Sequence, residues 1–198
     1  MANLKKGDIV RMNYNASIIG SDVVFDTTYE DKAKEAGIFN EKYSYAPMPY
    51  IVGSGRFFKA LDDAIAAAEV GVETTIEVPC QQAAGEKDPK LIETFTVKDF
   101  YKQEIRPVPG LEVKLGDRTG VVTTVGAGRV KVDFNNKLAG KDLKYTFTVT
   151  EVMESNEDKA MAIAQMDFLK DIGGKVRVTV PESEIKAGVI AGAVTEVI

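Results

Sequence analysis

The chain has 198 residues, 44% of them hydrophobic and 28% charged, with a formal net charge of −5, no histidine and one cysteine. The acidic balance with scattered Lys and Arg argues against nucleic acid as a partner, Cys80 alone excludes an intrachain disulfide framework, and the missing imidazole removes the commonest general base and metal ligand, so no cofactor and no metal are expected. No run approaches the 18 apolar residues of a membrane span, and Met-Ala-Asn-Leu-Lys-Lys lacks the apolar core of a signal peptide; the expectation is a cytoplasmic protein without a membrane segment.

Residues 7–28 read as two strands around a Gly20-Ser21-Asp22 turn. Lys32 to Ala36 fits one or two helical turns stopped by Gly37. Tyr50-Ile51-Val52-Gly53 reads as a further strand. From Ser54 the apolar residues Phe57, Leu61 and Ile65 recur at helical spacing, which predicts a helix ending near Glu69, with Asp62-Asp63 on its solvated face. Thr74 to Val78 is a strand that Pro79 ends.

After Gly85-Glu86-Lys87-Asp88-Pro89 the pattern becomes short strands around 93–97, 111–115, 119–125 and 129–134, separated by Gly and Pro. Leu143 to Val152 then alternates cleanly, with Leu143, Tyr145, Phe147 and Val149 on one side, as a half-buried antiparallel strand does. In the tail, Ser155 and Asp158 have capping-box spacing ahead of a helix with a stripe of Ala160, Ile163, Ala164 and Phe168. Gly173-Gly174 ends that helix. Strands are expected over Val176 to Val180 and in 189–198. One helix and two strands over so few residues need a partner surface.

Several short strings occur in an order that resembles the FKBP-type peptidyl-prolyl cis-trans isomerases, in the archaeal long form related to bacterial SlyD. They are Val10 to Tyr14, Val24-Phe25-Asp26-Thr27-Thr28, Tyr50 to Gly53 leading to Phe57, Phe58 and Leu61, Ala83-Ala84-Gly85, and Asn135 to Lys141 with Tyr145 beyond. The resemblance implies an α+β fold: an antiparallel half-barrel sheet around one helix, an inserted small β domain, and a C-terminal α/β extension. The implied domains are 1–86 with 132–153 for the isomerase, 87–131 for an insert-in-flap chaperone domain, and 154–198 for the extension. It places Tyr14, Phe25, Asp26, Phe57, Phe58 and Tyr145 in the catalytic pocket, and Tyr50, Leu61 and Ala84 against the substrate. Ala84 stands where the family has a flap tyrosine, Leu61 where macrolide-binding members have tryptophan, and Asn136-Lys137 where SlyD types have His-Pro.

A chain without histidine suits that reaction. Isomerisation of an X-Pro bond breaks no bond; its barrier is rotation about a partly double C–N bond, about 18–20 kcal/mol for peptide bonds generally. The planar amide is more polar than the twisted one, so a water-free aromatic pocket favours the twisted state. The implied partners are unfolded or proline-containing polypeptides, captured by the insert. The rival function is a holdase or adaptor whose pocket has lost its activity, a reading that Ala84 favours. The run Gly188 to Val194 and the apolar helix stripe lead to a further expectation, a homodimer through the extension, with packing on the same chain as the alternative.

Overall fold

The structure is a computed structural model that describes residues 4–167, 176–178 and 194–197. In chain order the elements are β1 (Ile9–Ile18), β2 (Val24–Thr27), α1 (Glu30–Glu35), β3 (Met48–Ile51), α2 (Lys59–Ala67), β4 (Glu73–Val78), β5 (Ile92–Thr96), α3 (Val97–Tyr101), β6 (Glu112–Leu115), β7 (Arg118–Gly126), β8 (Arg129–Asp133), β9 (Leu143–Val152), α4 (Asn156–Asp167), β10 (Val176–Val178) and β11 (Val194–Val197). The fold is α+β. Two compact units divide it: one holds the chain up to Val78 and from Asp142 onward, the other Pro79–Lys141.

In the first unit, β2, β1, β9 and β4 lie side by side in an antiparallel sheet. The ten-residue β1 pairs with β9 along its length. On its other edge it pairs with β3 at Ile9–Met12 and with β2 at Asn15–Ser17. Pro49 sits in β3 because that strand is at an edge, where its missing N–H leaves no ladder bond open. The two-residue period sends Val10, Met12, Tyr14 and Ala16 of β1, with Leu143, Tyr145, Phe147 and Val149 of β9, into one core; Leu61 and Ile65 of α2 are fully buried with them.

Two expectations for this unit need correction. The helix begins at Lys59 rather than Ser54, because residues 53–55 form a turn with left-handed Gly53 (φ 75°) and Gly55 (φ 69°). Phe57 and Phe58 therefore precede the helix, although their spacing mimics its period. It also stops at Ala67, since Ala68 is already extended. The second correction concerns Asp62. It is 8% exposed rather than solvated, and it accepts hydrogen bonds from that turn; Asp63 does lie outside, paired with Lys59 at 2.5 Å.

In the tail, Ser155 caps α4: its hydroxyl accepts from the Asp158 N–H at 3.0 Å and donates to the Asp158 carboxylate at 2.6 Å. Ala162 of α4 is fully buried in a cluster with Ile9 and Met153, against which Ile51 and Ile163 pack. The buried set (Ala160, Ala162, Ala164, Met166) is broader than the expected stripe, because α4 lies against both β3 and β10. β10 and β11 pair antiparallel. Phe168, Gly173-Gly174, Val180 and residues 188–193 lie outside the described residues.

The second unit is an antiparallel sheet in the order β5-β8-β7-β6. Phe100, Val113, Val122, Val130 and Val132 form its core, with Phe95, Leu111 and Phe134 packed alongside. Phe100 comes from α3, a five-residue helix not expected from the sequence and capped by Thr96, whose hydroxyl accepts from the Asp99 N–H at 3.3 Å. The base of the unit is closed by backbone and side-chain bonds. The Gly140 N–H donates to Gly85 O at 2.8 Å. The Asn135 amide brackets Asp88, accepting from its N–H at 2.8 Å and donating to its carbonyl at 3.0 Å. Asp133 accepts from Lys87 Nζ at 2.7 Å and from the Asn135 side chain at 2.7 Å.

Candidate functional site

The site is built on the inward face of the first sheet. Tyr14 faces Phe147 across the β1–β9 ladder and Ala16 faces Tyr145, so Tyr14 and Tyr145 are diagonal neighbours on one face, with ring centroids 6.5 Å apart. Asp26 pairs with Ala16 on the other side of β1. That register brings the Tyr14 hydroxyl to the Asp26 carboxylate, to which it donates at 2.7 Å. Phe25 meets Tyr145 edge to face at 6.1 Å.

From the far side, Phe57 meets Tyr14 edge to face at 5.6 Å, and Tyr50 lies tilted against Phe57 at 5.1 Å. The rings Tyr50, Phe57, Tyr14, Tyr145 and Phe25 thus form one continuous series over an apolar floor, and such contacts favour a single arrangement of the set. Phe58 is half-buried at the start of α2. Leu61 is 0% exposed and Tyr50 1%, so both support the rings from behind. Ala84 is half-buried in the second unit, just after a short helical turn over Cys80–Gln82.

The electrostatics make the tyrosines donors. Burial, reinforced by the charge of Asp26 and its hydrogen bond, raises the Tyr14 phenol far above its ordinary value. Burial and then the Asp26 charge push Tyr145 up to about 12. Tyr50 is also pushed up to about 12, first by burial and then by its bond to Asp62, while hydrogen bonding from Ser54 and the Phe57 backbone works the other way. All three hydroxyls keep their protons through the neutral range. Asp26 itself is exposed at the rim.

Three contributors were not foreseen from the sequence. Thr27 and Thr28 clamp the Tyr14 backbone: the Tyr14 N–H donates to Thr28 Oγ1 at 2.9 Å, the Thr28 N–H donates to Tyr14 O at 3.0 Å, and Thr27 Oγ1 donates to the same carbonyl at 3.1 Å. Asp62 ties Tyr50 to the turn ahead of α2. The Val24-Phe25-Asp26-Thr27-Thr28 string contained the signal for the clamp, since hydroxyl side chains next to a strand end compete for backbone groups. Among the described residues no group of three or more His, Cys, Asp or Glu is arranged to hold a metal, and no helix is long and apolar enough to cross a membrane.

The site joins a continuous series of rings, three protonated phenols and one carboxylate on an antiparallel sheet. A family model described as FKBP-type peptidyl-prolyl cis-trans isomerase matches residues 2–96, and one described as FKBP26, IF domain, matches residues 95–138. The short-type peptidyl-prolyl cis-trans isomerase of Methanocaldococcus jannaschii is 33% identical over 159 residues, which is 80% of this chain and 100% of that protein. The SlyD isomerase of Escherichia coli strain K12 is 26% identical over 145 residues, covering 71% of this chain and 74% of that protein. The chain belongs to the FKBP-type peptidyl-prolyl cis-trans isomerases and is SlyD-like, with isomerisation of X-Pro bonds as its activity.

Proposed function

We propose that this isomerase acts on prolines in unfolded or partly folded polypeptides, and that its pocket is the ring series around the Tyr14–Asp26 pair. In this reading Tyr14, Phe25, Asp26, Phe57, Phe58 and Tyr145 contact the substrate. Tyr50 and Leu61 form the floor behind them. The rings exclude water and disfavour the polar planar amide relative to the twisted one. A 10⁴-fold acceleration corresponds to a differential of about 5.5 kcal/mol, which a dry apolar site with a few oriented dipoles supplies without any covalent step. Tyr14 orients the Asp26 carboxylate, which faces the substrate carbonyl carbon as its double-bond character is lost. The observation that carries this reading is the 2.7 Å Tyr14–Asp26 bond in the middle of a continuous series of rings.

The second unit is proposed as an insert-in-flap chaperone domain. The match of residues 95–138 to an insert-domain model supports this, as do the exposed Leu91, Ile92, Tyr101 and Val108 on that unit. Capture of a client there raises the local concentration of its prolines at the pocket. An archaeal-type long form is proposed from the resemblance of residues 155–198 to that form's C-terminal extension, and the extension is proposed to carry a homodimer contact. A cytoplasmic location is proposed from the lone cysteine, which fits a reducing compartment. No nucleic-acid partner is proposed, on the net charge of −5.

One observation favours a second reading, a holdase with a weakened pocket: Ala84 has no hydroxyl with which to bond a substrate carbonyl. Refolding of a proline-limited protein separates the two. The expected result is that catalytic amounts of the chain accelerate the slow phase and that Asp26→Ala removes most of the effect. Retention of full acceleration by Asp26→Ala would reject the pocket assignment, and protection from aggregation without acceleration would favour the holdase.

A further inference from the structure

Behind the pocket lies a polar pair that the reaction as described does not use. Asp62 projects back from the first turn of α2 and is 8% exposed. Its Oδ1 accepts from the Tyr50 hydroxyl at 2.6 Å and from the Gly53 N–H at 2.9 Å; its Oδ2 accepts from the Gly55 N–H at 3.0 Å. Both backbone donors belong to the turn that delivers Phe57 to the pocket. Gly53 and Gly55 are left-handed there, and the segment between β3 and α2 has no strand ladder to hold it. Backbone bonds tie Val52 to Gly7 and Asp8 and Ser54 to Ile51, and the Asp62 carboxylate takes the Gly53 and Gly55 N–H groups beyond them.

The same carboxylate holds the Tyr50 hydroxyl, and the Tyr50 ring is the surface on which Phe57 rests, at 5.1 Å. Phe57 in turn presents its edge or face to Tyr14 at 5.6 Å, and Tyr14 holds Asp26. Asp62 thus controls Phe57 twice, through the backbone ahead of it and through the ring beneath it. Neither Asp62 nor Tyr50 has the exposure needed to meet a polypeptide substrate.

We propose that Tyr50 and Asp62 are a positioning pair for prolyl isomerisation, which fixes the turn at residues 53–57 and so sets the Phe57 ring against Tyr14. The inference rests on the pocket assignment made above. It assigns to Tyr50 a role different from substrate contact, and to Asp62 one different from a solvated helix residue. Isomerisation depends on shape complementarity to a twisted amide, so a small displacement of one wall lowers turnover more than it lowers ground-state binding.

Tyr50→Phe in the full-length chain is the test, because it keeps the ring and removes only the hydroxyl. Turnover and KM on a short Xaa-Pro peptide are read in a protease-free assay, alongside thermal melting and the NMR signals of the Phe57 ring. The expected result is a fall in kcat of at least fivefold with KM within twofold, together with shifted Phe57 ring signals. Asp62→Asn, which keeps the size but loses the charge and one acceptor, is expected to give the same split. Should Asp62→Asn fail to fold, Tyr50→Phe and its ring signals still decide. If Tyr50→Phe melts lower yet keeps kcat within twofold and leaves the Phe57 signals in place, the pair is only a fold anchor and the inference fails. Asp26→Ala and Phe57→Leu are measured in parallel. If these two keep full activity, the pocket assignment itself fails and the inference with it; if they are slow while Tyr50→Phe is not, the positioning role alone is lost.

Discussion

Asp26 is exposed, yet it receives the Tyr14 hydroxyl at 2.7 Å, and this combination separates activity from stability. Removing the carboxylate leaves Tyr14 packed between Phe57 and Tyr145 with its buried hydroxyl short of an acceptor. Asp26→Ala is therefore expected to cost about 1–3 kcal/mol of stability, the usual penalty for one buried donor left unpaired. Its kcat/KM on an Xaa-Pro peptide is expected to fall at least tenfold, which a peptide assay paired with urea unfolding checks. Tyr145 behaves differently. It is buried near the start of β9 and touches two other rings, so Tyr145→Ala opens a cavity worth about 3 kcal/mol. Tyr145→Phe should keep the fold and most of the ring wall. At this scale the sequence disclosed the motif residues, because strings such as Phe25-Asp26 keep their chemistry together. It did not disclose Asp62: an acidic pair in an amphipathic helix reads as surface, and only the reversed turn at Gly53 and Gly55 brings backbone N–H groups to one of the two.

Strands with one buried face were legible because their period is two, and β9 alternates along most of its length as expected. Short elements were not. α3 has five residues, too few for helical periodicity to register, and its position follows from the Thr96 cap and the burial of Phe100. The start of α2 is hidden in the sequence because an aromatic pair in a turn happens to continue the helical spacing. In the second unit, Gly120 is a packing glycine: a Cβ there would stand 2.7 Å from Val132 Cγ1, 2.8 Å from Phe134 Cδ1 and 3.0 Å from the Asp133 carbonyl oxygen. The carbonyl cannot rotate away, and Phe134 is held by Arg118 at 4.3 Å over its ring. Gly120→Ala is expected to destabilise this unit by about 1–3 kcal/mol, seen as a lower denaturant midpoint. The base of the unit should respond to acid. Burial opposes ionisation of Asp133, but hydrogen bonds from Lys87 and Asn135 hold its carboxyl below the ordinary value of 3.8. A folded-state value below the unfolded one gives stability that is complete above the unfolded pKa and lost as pH falls through the folded value. The urea midpoint of the second unit should thus drop between pH 5 and pH 3, and Asp133→Asn should remove that part of the slope.

At the level of the whole chain, the bracket between Asp88 and Asn135 and the Gly85–Gly140 bond bring the two ends of the insert together. Replacing residues 89–134 by a short Gly-containing turn is expected to leave a folded first unit that still isomerises a short proline peptide, while refolding activity on an unfolded protein falls strongly. Equal losses on both substrates would mean that the insert supports the pocket rather than capturing clients. The tail poses the remaining question. α4 already covers Ile9, Ile51 and Met153 with Ala162 and Ile163, so part of its apolar surface is satisfied within the chain. β10 and β11 make a two-stranded sheet, which is marginal by itself. The sequence from Gly188 into the start of β11 at Val194 is an apolar run. In the proposed homodimer, two extensions related by a two-fold axis would close such apolar sequence against each other. Sedimentation of the full chain at micromolar concentration is therefore expected to give a dimer, and a chain ending at Met153 a monomer with a lower melting temperature, because it loses the α4 cover over Ile9. A monomeric full-length chain would refute the dimer. A dimer that survives the truncation would move the contact away from the extension and leave α4 as cover for its own sheet.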